Sequence, residues 1–125
     1  MMIKLRGICI GRQCRNVPHS LNVMLKQHWA ERLKWKKAWQ NVIFYDNTIR
    51  IAAKSLKSSK RYIRVRLYTR YPQDQDNSVA SVKYIIDALK MATIIKDDSP
   101  GLCDIQVHTQ KVEYEEDEKT IVEII

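Results

Sequence analysis

The chain has 125 residues, 45% of them hydrophobic, and a net charge of +8. This length fits one domain with its own core, so we expect a single domain over residues 1–125. No apolar run reaches transmembrane length and no signal-peptide pattern is present, which predicts a soluble cytoplasmic protein without a membrane partner. Three cysteines form no metal-ligand spacing, so Cys9, Cys14 and Cys103 are expected to be buried or idle thiols.

The charge is divided unevenly along the chain. Residues 1–70 carry 17 of the 22 lysines and arginines and 2 acids, whereas residues 71–125 carry 5 lysines and 12 acids. The two parts therefore have net charges of +15 and −7. A polyanion is the expected partner of the first part, because neutralising phosphates releases counterions. A ribosomal or membrane-surface role would use the same charge, so the partner stays open on this evidence.

The first half of the chain is predicted to form a strand and a long helix. Residues 2–10 alternate loosely between apolar and polar and predict the strand, and residues 11–20 predict a loop. A helix is expected over residues 21–44, capped by Ser20 or Asn22, with its tryptophans packed on the sheet and His28 structural. Helix is again a possible continuation over residues 48–56.

The second half switches to a period of two. Over residues 62–71, apolar and basic residues alternate and predict a half-buried strand with a basic outer face. An amphipathic helical run follows to Lys90, and residues 105–114 and 120–125 predict a hairpin. The order β-α-β-α-β-β predicts an α+β fold, a two-layer sandwich with helices on one face of a mixed sheet.

Two acids stand where this strand gives way to the helix. Asp74 and Asp76 are two apart, and in extended backbone such residues point to the same side, where both could bind one cation. Asp98 follows the helix in a loop that could return to that side. Oxygen ligands suit Mg²⁺, with Mn²⁺ as a substitute, and such a metal would activate water and stabilise charge on a phosphate. Each acid taken alone is better explained as a helix cap or a turn residue, and only convergence of the three would favour the metal site.

Further along the helical run, Lys83 and Asp87 follow Asp76 at separations of seven and four residues. Helical side chains lean toward the N-terminus, so Lys83 is expected to approach the acidic centre and either contact phosphate or stabilise charge in the transition state. Asp87 is expected to be an orienting or structural neighbour of Lys83. Catalytic roles are thus predicted for Asp74, Asp76, Asp98 and Lys83.

Basic residues of the helix and the strand are candidates for contact with the DNA backbone. The predicted DNA-binding residues are Lys34, Lys36, Lys37, Lys60, Arg61, Arg64, Arg66 and Arg70. Two structural explanations compete with this function. Long basic side chains can lie along apolar surface with their heads in water, and charge can protect an edge strand from pairing.

The ordered motifs together resemble the RusA family of Holliday-junction resolvases, particularly its phage-type members. The motifs in question are Asp74-x-Asp76-Asn77, Lys83, Ile86-Asp-Ala-Leu89 and Ile95-Lys-Asp-Asp98-Ser99. The segments Ser20-Leu-Asn22 and His28-Trp29-Ala-x-Arg32 are also similar to the family's amino-terminal signature. Some members place the catalytic lysine where this chain has Ala80, and Lys83 matches a longer-spaced branch.

The resemblance implies a homodimeric, Mg²⁺-dependent endodeoxyribonuclease of DNA recombination and repair. It would bind four-way junctions and nick two strands symmetrically, with Asp74, Asp76 and Asp98 as metal ligands. A catalytically inactive or non-junction-specific DNA-binding protein of the same fold is the first alternative. An enzyme acting on nucleotides or sugar nucleotides is the second, although it would not need the basic first half. No small-molecule cofactor is expected, because the chain has no glycine-rich phosphate loop.

Overall fold

A computed structural model of the chain describes residues 2–46, 49–51, 61–92 and 103–124, with only the backbone described for residues 61 and 103. The strands are β1 (Met2–Leu5), β2 (Ile8–Ile10), β3 (Gln13–Arg15), β4 (Arg61–Thr69), β5 (Cys103–Lys111) and β6 (Lys119–Ile124). The helices are α1 (Leu21–Lys26), α2 (Trp29–Phe44), α3 (Gln75–Ser81) and α4 (Lys83–Met91), with a 3₁₀ helix at Glu115–Asp117. The predicted α+β fold is confirmed: a mixed four-stranded sheet carries helices on one face, and β2 and β3 form a separate small sheet.

The predicted first strand is divided into two. Gly7 adopts a φ of 63°, a left-handed conformation that glycine takes readily, and it turns the chain between β1 and β2. The strands β2 and β3 then pair as a hairpin in which Cys9 lies opposite Cys14. A disulfide joins these two exposed cysteines, so the expectation of buried or idle thiols was wrong for them. Directly opposed positions bring the two Cβ atoms close enough for this bond.

The predicted helix over residues 21–44 is also divided, because a second cap lies inside it. Ser20 caps α1 by accepting a hydrogen bond of 3.2 Å from the Val23 N–H. His28 has extended backbone and caps α2 through Nδ1, which accepts from the Ala30 N–H at 3.2 Å. The structural role expected for His28 is therefore confirmed.

The tryptophans of α2 divide between the core and the surface. Trp35 and Trp39 are each 1% exposed and pack in the core, as expected, but Trp29 is 65% exposed. Because Trp29 is the first residue of α2, directly after the His28 cap, it lies outside the buried stripe.

The strand order in the large sheet is β1-β6-β4-β5, so β4 is an interior strand. It is antiparallel to β6 and parallel to β5. The predicted hairpin of the last two strands was therefore wrong, as was the edge-strand explanation for the basic residues of β4. Glu118 fixes the crossing between β5 and β6, since it accepts hydrogen bonds from the Thr69 hydroxyl and the Arg70 N–H at the end of β4.

The core lies between this sheet and the helices. On β4, Ile63, Val65 and Leu67 are nearly inaccessible, as the alternating pattern predicted. They belong to one cluster with residues of β1, β5 and β6 and with residues of the helices α2 and α4. Burying each side chain of this kind stabilises the fold by roughly 1.5–3 kcal/mol. The opposite face of the sheet is polar, and none of the described helices covers it.

The helical run after β4 consists of two helices, because the helical backbone is interrupted at Val82, where α3 ends and α4 begins. In α4 the residues Ile85, Ile86, Ala88 and Leu89 are buried. Asp76 and Lys83 therefore belong to different helices and are not two turns apart on one. Within the described part of the chain, no helix has the length and apolar character needed to cross a membrane.

Candidate active site and nucleic-acid surface

Asp74 caps α3 and is held there by one residue. Its backbone is extended, its Oδ1 accepts from the Asn77 N–H at 2.9 Å, and its Oδ2 accepts from the Asn77 side-chain amide at 3.1 Å. The helix begins at Gln75, so Asp76 lies in its first turn. The cap interpretation is confirmed, and the idea that both acids lie in extended backbone was wrong.

The contact with Asn77 gives the Asp-x-Asp-Asn motif a physical meaning that sequence reasoning missed. Both carboxylate oxygens of Asp74 are oriented by donors from one neighbour, yet each oxygen keeps a further lone pair. The carboxylate is thus fixed in direction and still able to accept. A carboxamide three residues after a capping acid was the signal that could have revealed this role.

Asp74 and Asp76 supply carboxylate oxygens at the start of α3, the ligand type that a hard cation prefers. Asp74 and Asp76 are both exposed, so oxygens and water molecules are available together, as Mg²⁺ prefers. Among the described residues there is no group of three histidines, cysteines or acids that could hold a metal. The third predicted ligand, Asp98, lies outside the described residues, as does Lys60.

Lys83 opens α4 with an accessible side chain. It lies 3.8 Å from the Asp87 carboxylate, so the predicted neighbour relation of these two residues is confirmed. Pairs of this kind on a helix surface contribute only about 0.3–0.5 kcal/mol. The ammonium group is therefore held weakly and can move to another anion.

The three described arginine side chains of β4 and its end face acids from distant parts of the sequence. Arg64 and Arg66 approach Glu123 on β6 at 3.2 and 3.7 Å. Arg70 approaches Glu118 at 3.2 Å. Sequence reasoning missed both glutamates because each lies more than 40 residues from its partner. The side chain of Arg61, also predicted to bind DNA, is outside the description.

The lysines of α2 have a different environment. Lys34 and Lys37 are exposed, and Lys36 is half-buried. None of the three forms an ion pair within the part of the chain that the structure covers. Of the predicted DNA-binding residues described with side chains, these three are the ones without a partner carboxylate.

No protein-family model and no curated protein matches the chain. The likeness to RusA-type resolvases therefore rests on the motifs quoted above and on the chemistry of the residues that carry them.

Proposed function

We propose that this protein is a divalent-metal-dependent endodeoxyribonuclease that resolves four-way DNA junctions by paired, symmetric nicks. The arrangement of Asp74, Asp76 and Asn77 is the observation that carries the proposal. Two exposed acids stand two residues apart at the start of a helix, and Asn77 fixes the direction of the Asp74 carboxylate. The ordered resemblance to RusA-type resolvases supports the choice of a branched DNA substrate over other phosphodiesters.

Asp74 and Asp76 would hold Mg²⁺ together with Asp98. The bound metal would supply an activated water and would stabilise negative charge on the phosphate. Asn77 keeps the Asp74 carboxylate pointed by its two hydrogen bonds. Lys83 leaves its weak pair with Asp87 to contact a phosphate oxygen of the strand.

The lysines of α2 support the DNA part of the proposal. Their charges are not neutralised within the described chain, so contact with phosphates would release counterions and give affinity for any DNA arm. A homodimer would set two such centres against two strands of a symmetric junction. We propose that the dimer acts in the cytoplasm, at the nucleoid, in recombination and repair.

One observation favours a second candidate, a protein of this fold that binds DNA without cutting it. The capping bonds of Asp74 account for that residue without any metal. The two candidates make the same prediction for DNA binding and opposite predictions for cleavage.

Cleavage of a labelled four-way junction, with a linear duplex of the same arm sequence beside it, separates the candidates. With Mg²⁺ we expect paired nicks in the junction and none in the duplex. Asp76→Asn should reduce the cleavage rate by roughly 100-fold or more, because a metal ligand is lost. Junction binding in EDTA should be unchanged.

Asp117→Asn is the matched control, because Asp117 is an exposed acid in the 3₁₀ helix. This variant should cleave the junction at the wild-type rate. Binding without cutting under Mg²⁺ or Mn²⁺ would favour the second candidate. Full cleavage by Asp76→Asn would remove Asp76 from the mechanism.

A further inference from the structure

A cavity of about 260 Å³ is lined in part by Gln73, the residue directly before Asp74. The lining also includes the ends of two neighbouring strands, with Thr69 at the end of β4 and Thr109 on β5. The chain that leaves the small hairpin, from Cys14 to Pro18, is also part of the lining. Crevices at the carboxyl ends of parallel strands are frequent ligand sites in α/β sheets, and β4 and β5 are such a pair.

The charges that line the cavity balance. They are the guanidinium groups of Arg15 and Arg70 and the carboxylates of Glu115 and Glu118. Glu118 is 8% exposed and accepts from the Arg70 N–H and from the Arg70 Nε at 3.0 and 3.3 Å. Burial lowers the pKa of Arg15, and the nearby Glu118 carboxylate works against that shift. A neutral polar ligand fits this lining better than a phosphate, because the two arginines provide no positive charge in excess of the two carboxylates.

Polar groups in the cavity wall remain available for a ligand. The side-chain amide of Gln73 has no hydrogen-bond partner in the described chain, and it offers both donors and an acceptor. Ser78 and Thr109 bond to each other through their hydroxyls at 2.9 Å and so leave acceptor capacity toward the cavity. Such groups match the mixed donor and acceptor edges of a nucleobase.

An exposed aromatic residue, Tyr71, is among the residues of the same lining. Tyr71 is 75% exposed, and the Arg70 guanidinium lies 5.4 Å from its ring centroid. Exposed aromatic rings are the usual stacking platforms for unpaired bases, each worth about 1–3 kcal/mol. An amide, an aromatic ring and balanced charge therefore occur together next to Asp74.

We propose that this cavity receives one unpaired nucleobase of the DNA strand whose phosphate lies at Asp74 and Asp76. The inference rests on the proposed function for the identity of the polymer. Taking a base out of a duplex costs a few kcal/mol, and least where the base is already unpaired. Base pairs at a branch point are not part of one continuous stack, so they open at lower cost than those inside a duplex, and the cavity would favour branched over linear DNA.

A titration of the isotope-labelled protein with the four deoxynucleosides, without metal or DNA, tests the cavity directly by NMR. We expect shifts of the Gln73 side-chain amide and of the Ser78 and Thr109 backbone amides, larger for some bases than for others. Tyr71→Leu should weaken binding about 5- to 100-fold, in line with loss of one stacking contact. Equal shifts with inorganic phosphate, or no shifts at these positions, would overturn the proposal.

A second arm uses a junction carrying 2-aminopurine at the branch point, bound in EDTA. Emission should rise when the wild-type protein binds, and the rise should be lost in Tyr71→Leu and in Gln73→Ala. Tyr45→Leu is the matched control, because Tyr45 is also exposed and also has an arginine 5.5 Å from its ring centroid, and it does not line the cavity. Loss of the rise in this control would overturn the proposal.

The two arms separate failure of the cavity from failure of the proposed function. If the protein binds deoxynucleosides at Gln73 but cuts no junction, the base-binding cavity is supported and the proposed nuclease activity is wrong. If the protein cuts junctions but shows neither an emission rise nor nucleoside-induced shifts, the nuclease activity is supported and the base-binding cavity is wrong.

Discussion

The basic residues of α2 and those of β4 were predicted for the same task, yet the structure gives them different surroundings. On α2, Lys34 and Lys37 project into solvent with no carboxylate within ion-pair distance among the described residues. On β4, Arg64 and Arg66 share Glu123, and beyond the end of that strand Arg70 binds Glu118.

The difference shows that charge separated along the sequence is not separated in space. The excess of +15 in residues 1–70 is partly cancelled by acids from residues 71–125, because β6 lies next to β4 in the sheet. A positive residue releases counterions from DNA only to the extent that its charge is not already compensated. The lysines of α2 are therefore the stronger candidates for DNA contact.

The largest effect on DNA binding is expected from α2. Replacing Lys34, Lys36 and Lys37 together by glutamine should weaken binding to a duplex about 100-fold at ~0.1 M salt, since about three phosphate contacts are lost. The slope of log K against log salt should become less steep by about 2–3 for the same reason. Fluorescence anisotropy over a salt series measures both quantities.

Arg64→Gln combined with Arg66→Gln provides the comparison within the same assay. Because Glu123 already faces both arginines, we expect less than about a tenfold loss of affinity and a small change in slope. A double variant that weakens binding as much as the triple lysine variant would break the distinction between the two surfaces.

The next largest effect concerns the stability of the fold. Glu118→Gln should lower the free energy of unfolding by about 2 kcal/mol, because a buried carboxylate with three donors is removed and Arg70 loses its partner. Glu123→Gln should cost less than about 1 kcal/mol, since its pairs with arginine are more accessible to water. Urea unfolding monitored by tryptophan fluorescence gives both values. Equal losses would mean that the crossing of the chain at Glu118 contributes no special stability.

Local patterns predicted the elements well, and long-range pairing limited the rest. The alternation of Ile63, Val65 and Leu67 was sufficient to predict β4, because a buried face imposes a period of two. No such pattern shows that β6 inserts between β1 and β4, because that arrangement depends on bonds between Glu118 and residues almost 50 positions away. The disulfide is local but was also missed, since it requires the turn at Gly11 and the hairpin register that sets Cys9 opposite Cys14.

The candidate site follows the same rule. Asp74 and Asp76 were identified by residue type and spacing, whereas the role of Asn77 depends on the helix starting at Gln75. The position of Lys83 depends on the interruption at Val82, which the apolar periodicity of the run conceals. Spacing thus identified the chemical groups, and only the backbone conformation defined how they are oriented.

The smallest of the expected effects concerns His19, a partly buried histidine near Arg15. The ring of His19 packs edge-on against Trp35 at 4.8 Å. Burial, reinforced by the charge of Arg15, lowers the pKa of His19 to about 4. The unfolded chain protonates this group near its ordinary value of about 6.5, so it binds more protons than the folded chain between these two values.

Stability should therefore fall as the pH drops from 6.5 toward 4, and His19 should contribute no pH dependence above that window. The slope is at most about 1.4 kcal/mol per pH unit, and smaller here because the ring is partly accessible to water. Unfolding of the wild type and of His19→Gln at pH 7.0, 6.0 and 5.0 measures it, with His108→Gln as the exposed control on β5. If His19→Gln and His108→Gln lose stability with the same slope as the wild type, the proton that destabilises the fold binds elsewhere. If stability depends less on pH in His19→Gln than in the wild type and in His108→Gln, then it is the burial of His19 that makes its protonation destabilising.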